Sequence, residues 1–224
     1  IGGSRDSYLA KFSPSGSLVW ATYFGGPYQE SGFDVSIAGN NIIITGETFS
    51  LENISSPGAY QEQKIGDLNS SDAYLAMFDA DGQRLWSTYL GGPGDDRGNA
   101  MFAIPGKILF TGISRSDDGI VTPDAMQSTN AGEGDVFYAE FTTSGKQFYG
   151  TYFGGPNQDI GYDIALIDTS LYVVGETESP GLGTPGVHQQ TKSSGADAFV
   201  LKIGISLAVP LFVDAGPDTT ICNG

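Results

Sequence analysis

One short segment returns three times along the chain, and its near-constant spacing constrains the fold more than any other feature. The copies are Thr22-Tyr23-Phe24-Gly25-Gly26-Pro27, Thr88-Tyr89-Leu90-Gly91-Gly92-Pro93 and Thr151-Tyr152-Phe153-Gly154-Gly155-Pro156. They begin at positions 22, 88 and 151, which gives a period of roughly 65 residues. A period of this size indicates a repeat architecture, in which each unit buries its apolar surface against its neighbours.

Three further markers keep step with this segment. The first is an aspartate that opens an apolar run, at Asp6, Asp72, Asp135 and Asp197. The second is Thr45-Gly46-Glu47-Thr48, with counterparts that begin at Thr111 and Val174. The third is Pro57-Gly58-Ala59-Tyr60-Gln61, with counterparts that begin at Pro123 and Pro185. Four markers in constant order over three periods identify internal repeats.

Each period is typical of four short antiparallel strands. In the first complete period we predict strands at 33–38, 41–48, 72–79 and 84–90. Gly39-Asn40 predicts a tight hairpin, and Gly82 in Ala80-Asp81-Gly82 suits a turn position with positive φ. Four strands per unit of this length predict an all-β fold of four-stranded blades, because each blade of a β-propeller is a four-stranded antiparallel sheet.

Composition excludes several classes of function. The formal net charge of −16 would repel nucleic acid and anionic lipid surfaces. No run approaches 18 apolar residues, so we expect no direct membrane insertion, and we expect no signal peptide within these residues. The lone cysteine, Cys222, and the lone histidine, His188, leave little material for nucleophilic or zinc chemistry.

The run from Phe78 to Gly92, followed by Gly94-Asp95-Asp96, resembles the seven-bladed β-propeller repeat (SBBP) family. The resemblance covers residues 1 to about 204 and implies blades at about 33–90, 99–153 and 162–206. Residues 7–24 would supply the last two strands of a preceding blade, so 1–206 would form a partial propeller. The third copy departs from the pattern with Tyr149, which we interpret as packing drift.

Closed propellers need at least four blades, more than this chain supplies. We therefore expect further blades upstream in a longer native protein; the alternative is a ring assembled from several chains. Residues 213–224 resemble the opening of the PKD-like, immunoglobulin-like modules of large secreted Bacteroidetes proteins. That resemblance implies that 207–224 are a linker and the first strand of a truncated PKD-like domain. It also implies an extracellular or bacterial cell-surface location and type IX secretion, and a partner further along for Cys222.

Acidic residues after each Gly-Gly-Pro turn are the candidate metal ligands. Glu30, Asp96 and Asp159 recur there, and Asp34 and Asp163 follow two of them. Carboxylates beside glycine carbonyls suit Ca²⁺, which takes six to eight oxygen ligands. The alternative is that these carboxylates cap backbone N–H groups. The absence of a dense Asp-x-Asp-x-Asp spacing favours capping over a structural Ca²⁺ ion, and no other cofactor is indicated.

For the remaining candidates we favour structural roles. The strand-opening aspartates are expected to accept hydrogen bonds from loop amides. His188 shares its repeat position with Tyr60 and Met126, which argues against a catalytic base. Recurring aromatic residues indicate core packing in preference to sugar stacking: Trp20, Trp86, Tyr149, Tyr23, Tyr89 and Tyr152. The variable loops 49–71, 115–134 and 178–196 are the better candidates for a ligand surface.

Three functions follow, in decreasing order of support. The first is a non-enzymatic structural or adhesion module of a large secreted or cell-surface bacterial protein, active in attachment or gliding. The second is a propeller that binds glycans or proteins through its long loops. The third is an enzyme, which would need a cluster of non-repeated acidic residues or histidines that the sequence does not display. The expected partners are other domains of the same polypeptide, and surface glycans or proteins.

Overall fold

The computed structural model describes residues 2–208, and every regular element in that range is a β-strand. The strands are β1 (Ser7–Phe12), β2 (Leu18–Phe24), β3 (Glu30–Ala38), β4 (Asn41–Thr48), β5 (Asp72–Phe78), β6 (Arg84–Leu90), β7 (Asp96–Ile104), β8 (Lys107–Ser114), β9 (Asp135–Thr142), β10 (Gln147–Phe153), β11 (Asp159–Ile167), β12 (Ser170–Thr177) and β13 (Asp197–Gly204). The all-β prediction is therefore confirmed.

Neighbouring strands along the chain pair antiparallel and form four sheets. The sheets are β1-β2, β3-β4-β5-β6, β7-β8-β9-β10 and β11-β12-β13. The predicted hairpin is confirmed: Ala38 pairs with Asn41 and Gly39 has a φ of 64°. The predicted turn between β5 and β6 is also confirmed, since Gly82 has a φ of 80°. The three long loops occupy the predicted positions between these strands.

The first strand of each larger sheet begins earlier than the sequence predicted. β3 starts at Glu30, where we expected position 33, and β7 and β11 are likewise extended by three residues. Glu30 pairs with Thr48, and the register then shifts between Gly32 and Asp34. This β-bulge inserts one unpaired residue, so the apolar alternation that marks a strand is broken before it and hides the true start.

The sheets pack face to face in chain order, and an apolar cluster fills each of the three spaces between them. Phe24 of β2 packs on Tyr74 and Phe78 of β5, with ring centroids 4.9 and 6.1 Å apart. A second cluster joins the two four-stranded sheets and includes Leu75 and Phe137. A third joins β7–β10 to the last sheet. Burial on both faces explains why a strand such as β5 carries no charged residue after Asp72, its first residue.

The two tryptophans, on β2 and β6, each bind the turn between the last two strands of the following sheet. Trp20 Nε1 donates to the Ala80 carbonyl, and Trp86 Nε1 donates to the Thr143 carbonyl, both at 3.0 Å. Each indole also lies against the turn glycine, so that a Cβ on Gly82 would approach Trp20 to 3.0 Å. The turn glycine is therefore needed twice, for its positive φ and for close contact with the indole.

No helix long and apolar enough to cross a membrane occurs in the part of the chain that the structure describes. The PKD-like interpretation of residues 213–224, with Cys222, lies outside the described residues.

Candidate functional site

Three of the candidate metal ligands close the Gly-Gly-Pro turns. Glu30, Asp96 and Asp159 are the buried first residues of β3, β7 and β11. In each, a carboxylate oxygen accepts a 2.8 Å hydrogen bond from the backbone N–H of the turn's second glycine, at Gly26, Gly92 or Gly155. These are the capping bonds that compete with calcium for the same oxygens.

Hydroxyl groups supply further hydrogen bonds to the capping carboxylates. Ser116 Oγ donates to Asp96 at 2.7 Å, and Ser114 Oγ donates to the other oxygen of the same carboxylate. Burial raises the pKa of Asp96 to about 6, although the two hydroxyls and the Gly92 N–H oppose the rise by stabilising the anion. The carboxylate thus has every oxygen engaged within the protein.

The two other candidate ligands do not join this group. Asp34 follows the bulge of β3 and accepts a 2.8 Å hydrogen bond from the Met101 N–H of the neighbouring sheet. Asp163 accepts a 2.8 Å bond from the N–H of Ile164, its own neighbour. Among residues 2–208, no three or more acidic, histidine or cysteine side chains form a group able to hold a metal ion.

The carboxylates that do approach the capping residues are the strand-opening aspartates. A Cβ added to Gly154 would lie 2.5 Å from Asp135 Oδ1 and 2.8 Å from Asp159 Oδ2. The same arrangement, a glycine held between two carboxylates, occurs at Gly91, between Asp72 and Asp96, and at Gly25, between Asp6 and Glu30. We call each of these three places an acidic junction. The first glycine of the motif is therefore required because a side chain there would collide with both carboxylates.

At each of these three glycines, at least one buried carboxylate oxygen has no hydrogen-bond partner. In the described part of the chain, Oδ1 of Asp6, Asp72, Asp135 and Asp159 is buried and accepts no hydrogen bond. Burial raises the pKa of Asp135 to about 6, and the charge of Asp159 adds to the rise. Burial likewise raises the pKa of Asp72 to about 7, opposed by Lys64, whose Nζ lies 3.7 Å from Oδ1. The Asp72 and Asp135 carboxyl groups therefore retain a proton to higher pH than an exposed aspartate does.

A glutamine of the Pro57–Gln61 marker and of its counterpart at Pro123 ties two of these acidic junctions together, those at Gly91 and Gly154. Gln127 Nε2 donates to Asp135, and Gln127 Oε1 accepts a 3.1 Å bond from the Gly154 N–H. Gln61 makes the same two bonds, to Asp72 at 3.0 Å and from Gly91 at 3.1 Å. Its presence in all three copies of the Pro57–Gln61 marker was the signal that pointed to this role.

The expected bonds from loop amides are confirmed for Asp72, Asp135 and Asp197, whereas none to Asp6 is found in the described part of the chain. Asp135 accepts from the Ala131 N–H at 3.0 Å, and Asp197 accepts from the Ser193 N–H at 2.7 Å. The single histidine, His188, is exposed in the loop 178–196 and joins no cluster of titratable groups among the described residues.

The aromatic residues divide between core and surface. Tyr89 and Tyr152 are fully buried, and their hydroxyls donate to the Ser50 and Ser116 carbonyls at 2.9 and 2.7 Å. The core interpretation is confirmed for these two. It is wrong for Tyr23, which is 59% exposed because no sheet covers that face of β2 in the described structure.

The chain is thus an all-β chain whose antiparallel sheets stack in the order of the sequence. Buried carboxylates hydrogen-bond the Gly-Gly-Pro turns that connect one sheet to the next. No family model matches the sequence. Over 185 residues the chain is 26% identical to the regulatory protein FlaEY of Caulobacter vibrioides. The match covers 80% of this chain and 19% of that protein, so the chain spans about a fifth of its relative's length.

Proposed function

We propose that this chain is a segment of a β-propeller that acts as a non-enzymatic structural and adhesion module of a large secreted or cell-surface bacterial protein. The observation that carries the proposal is a change in burial between equivalent positions. Tyr74 is fully buried against the preceding sheet, whereas its repeat equivalent Tyr8 is 59% exposed. At the other end, Leu75 is fully buried and its equivalent Val200 is 70% exposed.

These two faces are unlike an ordinary protein surface. Each presents large apolar side chains at positions that are covered wherever a further sheet is present, and contiguous apolar patches mark interaction sites. The upstream face of β1–β2 and the downstream face of β11–β13 are therefore suited to continue the stack. A stack that extends in this way, through twisted sheets in contact along β3, β7 and β11, favours a propeller.

The chemistry of the repeats favours a structural role. The recurring acidic residues are bonded to backbone amides, hydroxyls or glutamine, which is how a scaffold uses them. The share of the relative that the chain covers, 19%, is consistent with a module of a longer polypeptide. The secreted setting rests on the resemblance of residues 213–224 to PKD-like modules.

Light scattering tests whether the end faces seek partners. The purified chain should show an average mass that rises above 23.5 kDa with concentration. A double variant, Tyr8→Ser with Val200→Ser, should remain monomeric over the same range. A wild-type chain that stays monomeric throughout would contradict the segment interpretation.

Adhesion is tested with fluorescent beads. Beads coated with the purified chain should adhere to surfaces coated with bacterial polysaccharide or matrix protein more than albumin-coated beads do. Equal retention of both kinds of bead on every surface would overturn the adhesion role while leaving the structural role intact.

Recognition of glycans or proteins through the long loops is the second candidate. It is favoured by the position of the loops 49–71, 115–134 and 178–196, which connect rigid, paired strands and differ in sequence from copy to copy. Replacing one loop at a time by a short Gly-Ser linker should abolish binding to one class of surface only. Retained binding in all three variants would exclude the loops.

A further inference from the structure

An open cavity of about 180 Å³ lies between the two four-stranded sheets, at the end where the acidic turns lie. Its charged lining comes from Glu47, Asp95, Arg97 and Arg115, Ser71 adds a hydroxyl group, and Phe49 and Ile113 supply apolar walls. Glu47 and Arg97 lie on β4 and β7, Asp95 directly precedes β7, and Phe49 and Arg115 are the first residues of the long loops 49–71 and 115–134. Each of these five residues thus lies on a paired strand or next to the end of one, which holds the lining in place.

Three of the four charged residues of this cavity depart from the repeat pattern, whereas Glu47 has Glu176 as a counterpart. The strand pairing makes Ser31 and Ile160 the equivalents of Arg97. The equivalents of Arg115 are Phe49 and Glu178, and those of Asp95 are Gln29 and Gln158. Because the other junctions fold without these charges, the scaffold does not require them. A charged cluster confined to one junction is what a binding site in a repeat protein would produce.

The guanidinium groups of this cavity form no ion pair within the described residues. Arg97 Nε is buried and has no hydrogen-bond partner among residues 2–208. Neither Arg97 nor Arg115 lies within 4.0 Å of a carboxylate oxygen in that range, although two carboxylates share the cavity. Arg97 is held over the ring of Phe33, with its guanidinium carbon 5.5 Å from the centroid. A buried guanidinium N–H without a partner can donate a hydrogen bond to an oxygen atom of a bound ligand.

We propose that this cavity is a saccharide subsite that binds one neutral hexose residue of a surface glycan. Two guanidiniums and two carboxylates offer both donors and acceptors to neighbouring hydroxyl groups, with local charges that balance. Phe49 can pack against the apolar face of a sugar ring. The volume suits one ring, with the rest of the glycan outside.

The charges around the cavity favour a neutral sugar over an acidic one. A uronate or a phosphate would face Glu47 and Asp95 within the cavity, and a net charge of −16 around it. Burial raises the pKa of Glu47, and the charge of Arg97 opposes that rise. A hydroxyl group can bond to Glu47 in either protonation state, which a second anion cannot do.

Saturation-transfer NMR on the purified chain tests the subsite. The probes are glucose, galactose, mannose and N-acetylglucosamine at about 10 mM, because a single-ring contact is expected to bind with a Kd near 1 mM. D-glucuronate is the charged comparison. We expect transfer to at least one neutral hexose and a clearly weaker signal for glucuronate. No transfer to any hexose, or stronger transfer to glucuronate, would overturn the proposal.

Matched variants locate the binding. Arg97→Met keeps an unbranched side chain but removes the donors and the guanidinium that lies over Phe33, and should lower the transfer at least fivefold. Arg115→Met tests the exposed partner, where the substitution leaves the core intact. Lys202→Met removes the same charge on the last sheet and should bind like the wild type. Binding that survives both arginine substitutions would place the sugar elsewhere.

The biological setting of the subsite rests on the proposed adhesion role, but the two can fail separately. Hexose transfer with no bead adhesion would retain the subsite and remove the adhesion role. Bead adhesion without transfer to any hexose would retain adhesion and remove the subsite.

Discussion

Two equivalent segments, 6–10 at β1 and 72–76 at β5, have nearly the same sequence: Asp6-Ser7-Tyr8-Leu9-Ala10 and Asp72-Ala73-Tyr74-Leu75-Ala76. Their side chains nevertheless differ in burial. All of β5 is buried, whereas β1 is largely half-buried or exposed. Tyr74 packs on Phe24, and its hydroxyl lies 2.7 Å from Ser7 Oγ of the preceding sheet. Tyr8 lies beside Tyr23 on a face that no sheet covers in the described structure.

The difference teaches that the repeat motif sets backbone pairing, while the neighbouring sheet sets burial. Stability in such a stack resides in the interfaces between units, as expected for quasi-one-dimensional repeat proteins. Identical substitutions at equivalent positions should therefore have unequal effects.

The largest difference in the free energy of unfolding should be that between substitutions of Tyr74 and of its equivalent Tyr8. Tyr74→Ala should lower the free energy of unfolding by about 3–5 kcal/mol, because it leaves a cavity between two sheets. Tyr8→Ala should change it by less than about 0.5 kcal/mol. Urea denaturation followed by fluorescence measures both. Equal losses at the two sites would show that the upstream face of β1–β2 is covered in solution.

The turn glycines give a second, smaller contrast. Gly16 and Gly82 occupy equivalent turns with φ near 82° and 80°, but only Gly82 lies against an indole, that of Trp20. Gly16→Ala should cost about 1 kcal/mol for its positive φ. Gly82→Ala should cost about 2 kcal/mol, since the added methyl group must also displace Trp20. Thermal melts of the two variants provide the comparison.

An equal shift of the melting temperature in both glycine variants would mean that Trp20 moves aside freely. A third variant, Trp20→Phe, separates the possibilities, because it removes the indole N–H bond to Ala80 while keeping an aromatic ring. If the indole clamps the turn, Gly82→Ala should cost less in the Trp20→Phe background than in the wild type.

Periodicity and turn residues were enough to predict the strands and loops, because both depend on local sequence. The start of β3 escaped prediction, since the bulge after Gly32 breaks the alternation. The pairing of Asp135 with Asp159 also escaped, because only the folded Gly-Gly-Pro turn brings residues from β9 and β11 together. The Arg97 cavity could not be predicted for the opposite reason: most of its charged residues have no counterpart in the other repeats, so no periodic pattern marks them.

A pH dependence distinguishes interior junctions from the end of the stack. Burial raises the pKa of Asp135 from 3.8 to about 6, so its contribution to stability is complete below pH 4 and is lost as the pH rises through 6. Asp135→Asn should therefore be nearly neutral at pH 4 and stabilise the chain by about 1–2 kcal/mol at pH 8. The groups facing this carboxylate are Asp159, Gln127 and the Ala131 N–H, and an asparagine can keep the last two bonds.

Asp197, its equivalent in the last sheet, should respond with the opposite sign. Hydrogen bonds from Ser193 lower its pKa, so its smaller contribution is present above pH 4 and is lost as the pH falls below 3.8. Asp197→Asn should thus weaken the fold slightly at pH 8. If Asp135→Asn also weakens the fold at pH 8, a cation bound to the unpartnered oxygens of Asp135 and Asp159 becomes the explanation to test. The melting temperature should then fall after exhaustive chelation, whereas capping and a retained proton predict no change.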